Sequence, residues 1–230
     1  MKEVIKISLL LIIISCSRQK VDNTKTTYFY LDEALAQCDK VKSISLIDRQ
    51  LTKVPDDIFK LSNLIWLDLQ FNKIVEINSD ICSLRNVEIL KLTKNLIKNF
   101  EAVTCLTSLR KLDVRNNKLI QVPDSIDNLK LLEDLNLSNN PDLGGLDNLA
   151  EMQVLKELRI SNIGLKQFPQ GLTSIETLEH LDISFNEIDS VPEDIGRLKN
   201  LKYLIIESTN INKETIDKLK DMLPNTIIAE

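Results

Sequence analysis

His180, Asp182 and Ser184 occupy alternate positions of the stretch "LEHLDISFNEI". As residue types they would make a hydrolase trio of base, orienting acid and nucleophile. Alternate residues of a strand share one face but stand about 6.8 Å apart, whereas a nucleophile and its base must approach to about 3 Å. No glycine-rich turn lies beside them to supply an oxyanion hole. Catalysis is therefore not expected, and His180 reads as a surface or binding residue. The chain has one histidine and no Cys-x-x-Cys pair, which argues against a zinc site. It also lacks a phosphate-cradling glycine motif. No metal and no cofactor are expected.

Hydrophobic side chains make up 43% of the 230 residues and charged ones 27%, the composition of a folded chain. Aromatics are 4% and glycines number five. The apolar mass therefore rests on Leu and Ile, as in a core assembled from many copies of one thin layer. The formal charge is -5; the first fifteen residues hold Lys2, Lys6 and Glu3, so that without them 27 basic residues face 33 acidic ones. Such a surface has no electrostatic footprint for nucleic acid or for anionic lipid.

The opening "MKEVIKISLLLIIISCSRQK" carries Lys2 and Lys6 ahead of an apolar run from Ile7 to Ile14. That run is too short to span a bilayer, which takes about 20 residues as a helix, and it has the proportions of a secretory signal. Ile13-Ile14-Ser15-Cys16 resembles the bacterial lipobox, in which cleavage before the cysteine exposes an N-terminal Cys that carries acyl chains. The resemblance implies a signal peptide over 1–15 and lipidation of Cys16, and Ser17 favours the outer membrane over the inner. Residues 16–29 are polar and aperiodic up to the aromatic cluster Tyr28 to Tyr30, and read as a lipid-anchored tether.

The trio belongs to a unit that recurs eight times. Matching stretches begin at residues 41, 64, 87, 109, 132, 155, 178 and 201, spaced by 23 residues with one step of 22 between Asn95 and Asn117. The unit, Leu-x-x-Leu-x-Leu-x-x-Asn-x-Leu with a variable return segment, resembles that of the leucine-rich repeat family, in its bacterial 22- to 23-residue form. The resemblance covers residues 41 to about 212. It implies an α/β fold: a right-handed solenoid, or horseshoe, with a parallel concave sheet and short helical convex segments.

Apolar residues at the first, fourth and sixth positions point inward, so each coil adds one layer to a shared core. Asn72, Asn95, Asn117, Asn140 and Asn186 stand where the chain leaves the strand and turns inside the solenoid. An amide there offers donors and an acceptor to backbone that water does not reach. Arg49 and Thr209 break this ladder at its ends, and Ile163 breaks it in the middle, with Asn162 one place early. Pro55, Pro123, Pro169 and Pro192 start the return segments as helical turns. The segment "NPDLGGLDNLA" lacks that proline-led turn and predicts a kink or shifted loop near 141–150.

A stacked solenoid exposes its core at both ends and needs caps. Residues 31–38 read as an amphipathic helix within an N-terminal cap over 30–40, followed by repeats over 41–212. Residues 213–230 close the far end, with Asn212 capping a helix through Met222, Ile216, Leu219 and Leu223 inward, and a last strand in "TIIAE". Residues 30–230 are thus read as one domain.

Outward strand positions form columns. The first is Ser43, Trp66, Ile89, Lys111, Asp134, Glu157, His180 and Tyr203. The second is Ser45, Asp68, Lys91, Asp113, Asn136, Arg159, Asp182 and Ile205, and the third runs through Arg115 to Ser184 and Glu207. Trp66, Asp68, Ile89, Lys91, Lys111, Asp113, Arg115, Asp134, Glu157, Arg159, His180, Tyr203 and Ile205 form the candidate partner-binding set. It has an apolar start, a charged middle and an aromatic end, with residue types that dominate binding hot spots. Phe71 and Phe185 read as half-buried edge packing. Cys82 and Cys105 fall near equivalent places in adjacent coils; a disulfide is conceivable there, with two small buried thiols the favoured reading.

These features predict a non-catalytic cell-envelope lipoprotein, membrane-bound through its lipid anchor alone, that presents its concave face to a protein or peptide. Two alternatives stand beside it. One is a soluble adaptor without the anchor, and the other an envelope glycan binder using Trp66 or Tyr203 as a stacking platform.

Overall fold

A computed structural model describes residues 27–230; Cys16, the signal-like segment and most of the tether lie outside the described residues. Each coil contributes a strand of three residues: β1 (Ser43–Ser45), β2 (Trp66–Asp68), β3 (Ile89–Lys91), β4 (Lys111–Asp113), β5 (Asp134–Asn136), β6 (Glu157–Arg159), β7 (His180–Asp182) and β8 (Tyr203–Ile205). β9 (Ile227–Ala229) follows the last coil. All nine pair in chain order as one parallel sheet, the architecture of a leucine-rich-repeat horseshoe. The register keeps repeat positions in line, so that Trp66 pairs with Ile89, Ile89 with Lys111, His180 with Tyr203 and Tyr203 with Ile227. Between the outward residues, Ile44, Leu67, Leu90, Leu112, Leu135, Leu158, Leu181 and Leu204 are buried in one continuous core.

Parallel neighbours require a crossover, and the return segments supply it through 3-10 turns such as Asp56–Lys60, Ser79–Ser83, Gln170–Ser174 and Glu193–Arg197. Pro55, Pro169 and Pro192 stand immediately before three of these turns in extended backbone. A segment of five residues is too short to sustain an α-helix on its own. What holds each turn is the buried apolar residue at its centre, Ile58, Ile81, Leu172 or Ile195.

The asparagine amides tie coil to coil. Asn140 is fully buried. Its Nδ2 donates to Leu137 O at 2.7 Å in its own coil and to Val114 O at 3.2 Å in the preceding one, while its Oδ1 accepts from Asn117 N and Leu119 N. Asn72, Asn95, Asn117 and Asn186 repeat this arrangement. The breaks have local substitutes. Thr209 Oγ1 donates to Ile206 O at 2.7 Å, and Arg49 N donates to Asn72 Oδ1. Opposite Ile163, coil five turns tightly instead, through Pro141, with Leu143 N donating to Asn140 O. Asn162 is not a displaced ladder residue: it takes the left-handed backbone (φ 52°) that the residue before the ladder position adopts in every coil.

Four expectations are corrected. The helix read over 31–38 is α1, Leu31–Leu35, followed by a 3-10 turn at Cys38–Lys40, because the chain must turn at Gln37 to enter β1. Tyr28, read as the end of the tether, is buried and pairs in parallel with Ile44, extending the sheet ahead of β1. Of the kink or shifted loop expected near 141–150, the kink is absent, since β5 and β6 keep the common register, and the change is confined to the loop. Its glycines act in the return segment, where Gly144 bridges to Gln121 and Gly145 turns left-handed (φ 73°) against Val122. Finally, Cys82 and Cys105 form a disulfide, with Cα atoms 5.5 Å apart. The residue missing from the third coil is lost before its 3-10 turn, where Glu101 directly follows Phe100 and the capping Asn99 accepts from Glu101 N as Asn78 does from Asp80 N. This sets Cys105, fifth in its turn, beside Cys82, fourth in the preceding one. At the far end α2 (Lys213–Met222) is capped by Asn212, which accepts from Thr215 N, and buries Ile216 and Leu219.

Asn140→Ala would strand the Leu137 carbonyl and the Asn117 and Leu119 amides inside the molecule, Val114 O keeping its bond from Asn117 Nδ2, at about 1–3 kcal/mol for each group that finds no water. The expected loss is about 3 kcal/mol in urea unfolding, against about 1 kcal/mol for Thr209→Val, which removes one bond at an end; equal losses would show that the buried amide is not what the coils depend on. For the disulfide, closing a loop of about 24 residues corresponds to about 3 kcal/mol in the chain-entropy account. The double variant Cys82→Ser/Cys105→Ser should lose that stability, and added reductant should destabilise the parent by more than it destabilises the variant.

Candidate functional site

Burial of the central residue of each strand from β1 to β8 fixes the neighbours outward, and the outward columns lie on the sheet as the repeat dictates. His180, Asp182 and Ser184 share that face without assembling as a catalytic trio. The Ser184 hydroxyl donates to Asp182 Oδ1 at 2.6 Å and lies 3.0 Å from the Ser161 hydroxyl. His180 instead rests against Tyr203, ring centroids 4.7 Å apart, with Nδ1 3.7 Å from Glu157 Oε1. Among the described residues no group of His, Cys, Asp and Glu is gathered to hold a metal.

The charged middle differs from its sequence reading as a partner-binding surface, because its charges face one another. The buried Asp134 carboxylate accepts from the Lys111 ammonium and, at 2.7 Å, from Arg159 Nη1; the other Arg159 nitrogen pairs with Glu157. Burial works against the Arg159 charge, but Asp134 and Glu157 outweigh it and hold the guanidinium above its ordinary pKa. Arg115 lies 3.4 Å from Asp113. Asp68, 2% exposed, is bound by Gln70 through its backbone and side-chain amides and is not offered to solvent. Lys91 sits over one face of the Trp66 ring, 5.5 Å from its centroid. Ile89 remains half-exposed beside them.

At the other end the face is open. Tyr203 is 43% exposed, and with His180, Ile205, Asp182, Glu157 and Arg159 it lines a shallow depression of about 420 Å³. Two further features escaped the sequence reading. Phe71 and Phe185, expected half-buried, are 46% and 54% exposed, because the residue before each ladder Asn adopts the left-handed conformation and points away from the core. Lys94 lies 4.7 Å from the Phe71 ring centroid. A larger depression of about 920 Å³ crosses three return segments between Leu143 and Pro192, floored in part by Gly144 and Gly145. The paired glycines were its signal in the sequence.

The comparisons with known proteins agree with this geometry. Models described as leucine rich repeat match residues 39–97, 108–129 and 177–198. No curated protein matches the chain. Among solved structures, an internalin (inlF) of Listeria monocytogenes superposes with a TM-score of 0.74 at 18% identity, over 89% of this chain and 58% of that one. The chain thus spans little more than half of that relative's length. Internalin C2 of the same organism gives 0.74 at 25% identity, over 84% and 82%. The plant peptide hormone receptor RGFR1 in complex with RGF2 gives 0.62 at 20%, over 92% and 38%.

Outside the columns, Glu133 accepts from Lys156 at 2.7 Å and from Arg110 at 2.8 Å. The hydrogen bond from Lys156, helped by Arg110, holds its carboxyl below the ordinary 4.5 although burial opposes it. A depressed carboxylate adds stability above its unfolded pKa and loses it as the pH falls through the folded value. Glu133→Gln should therefore be less sensitive than the parent to acidification below about pH 4.5 in urea unfolding, while differing little near neutrality because the pair is half-exposed. An unchanged acid slope would remove Glu133 from the account.

Proposed function

We propose that this leucine-rich-repeat solenoid is a non-catalytic recognition module of the bacterial cell envelope, tethered by lipid at Cys16 and presenting its concave sheet to a protein or peptide. The observation that carries the reading is the uncommitted aromatic end of that sheet, where Tyr203 stays exposed beside His180 and Ile205 although the core is filled without it. Large aromatics left on a preformed surface are characteristic binding anchors. The plant receptor of the same fold, solved in complex with RGF2, supports the use of such a scaffold for peptide recognition. The anchor rests on the lipobox-like Ile13-Ile14-Ser15-Cys16, and export is supported by the Cys82–Cys105 disulfide, since such bonds persist in oxidising compartments. Among the described residues no helix is long and apolar enough to cross a membrane. Lys91 over Trp66 weighs against the glycan platform at that residue.

Two outcomes are expected. Intact mass should find a mature chain beginning at acylated Cys16 in the membrane fraction, with Cys16→Ser released from it; a soluble species beginning at Met1 would sink the anchor and favour the adaptor. Co-purification from solubilised native membranes should recover a protein that Trp66→Ala/Tyr203→Ala, at unchanged thermal midpoint, no longer retains. Equal recovery with both would move the interaction off the concave face.

A further inference from the structure

The charges of the concave face do not cancel evenly. Lys111, Asp134, Arg159 and Glu157 form a cluster of two cations and two carboxylates, closed on itself. Toward β1, Arg115 pairs with Asp113, and Lys91 offsets the buried Asp68. Toward β9, Asp182 and Glu207 remain. No salt bridge among the described residues engages either one. Among the described residues Asp182 accepts from Ser184 alone, N at 3.0 Å and Oγ at 2.6 Å, and both bonds fall on Oδ1, with Oδ2 engaged by none of them. Asp182 lines the open depression with His180 and Tyr203 and pairs in register with Ile205, and the exposed Glu207 follows two residues after Ile205, just beyond the end of β8. The surplus negative charge of the sheet therefore coincides with its exposed aromatic and apolar side chains.

Resting on the reading of this sheet as a recognition face, we propose that its partner is a peptide segment with a basic side chain next to an apolar one, docked between Asp182, Glu207 and the His180–Tyr203 pair. The cation takes the free carboxylate oxygens and can lie against the Tyr203 ring, an arrangement that favours Arg over Lys. The apolar neighbour covers Ile205. An acidic segment would meet two uncompensated carboxylates and is selected against. The neutral centre of the sheet contributes shape rather than charge.

The test uses residues 27–230 within the full chain and a displayed library of random dodecapeptides, selected on the parent at low salt. The expected pool places Arg or Lys within two residues of an apolar or aromatic residue. Individual peptides from it should bind Asp182→Asn/Glu207→Gln and Tyr203→Ala at least tenfold more weakly, with thermal midpoints unchanged; Asn keeps the acceptor that Ser184 uses. An enriched pool that is acidic or uncharged, yet loses binding on Tyr203→Ala, would overturn the basic preference and leave the concave face as the site. Peptides that bind Tyr203→Ala as well as the parent, or a selection that enriches nothing, would overturn both.

Discussion

A chain that turns back inside its own solenoid must satisfy backbone groups that water does not reach, and the rest of this structure follows from how it does so. Each ladder asparagine spends its amide hydrogens on carbonyls of two coils and its oxygen on amides of the coil before. No coil is therefore complete until the next is laid on it, which couples neighbours more strongly than apolar stacking alone. Strand ends are fixed by the same contacts, so every outward side chain has a defined place. Where Ile163 removes the amide, the preceding coil has no partner for its turn, and the Pro141 turn with Gly144 and Gly145 closes the gap locally.

Exact stacking also decides which charges are available. Parallel pairing in register brings side chains one repeat apart to neighbouring strands about 4.8 Å away, so residues 23 positions apart in sequence meet as directly as any pair in the fold. Lys111 meets Asp134 in this way, and Arg110 meets Glu133. A face that is rich in charge by composition thereby becomes nearly neutral over most of its length. Its chemical character is set by the few groups whose repeat neighbours happen not to complement them.

The repeat period, the nine-stranded order and the ladder were legible in the sequence because each depends on residue type at a fixed position. Less legible were features that depend on the partner one coil away. Asp134 and Arg159 read as binding residues, since nothing in either strand alone shows that they satisfy each other. The exposure of Phe71 and Phe185 follows from a left-handed backbone that the sequence marks only indirectly, through the Asn and Ser found there in other coils. The disulfide was obscured by the shortened repeat, although the missing residue is what brings Cys105 level with Cys82. The short α1 reflects the geometry of entry into β1, to which helical periodicity is blind.

Rigidity then bears on recognition. A sheet held by buried amides on one side and salt bridges on the other has little freedom to lose on binding, so a modest contact area can suffice. The same rigidity prevents the central ion pairs from reorganising to meet a ligand: opening the Asp134 cluster would leave a buried carboxylate without its cations, which is strongly unfavourable. Selectivity must come from groups that are already free, and these lie at the β7–β8 end, where an exposed ring and two unpaired carboxylates stand together. The fold thus confines its chemistry to the one part of the sheet where the repeat no longer supplies each side chain with a complement.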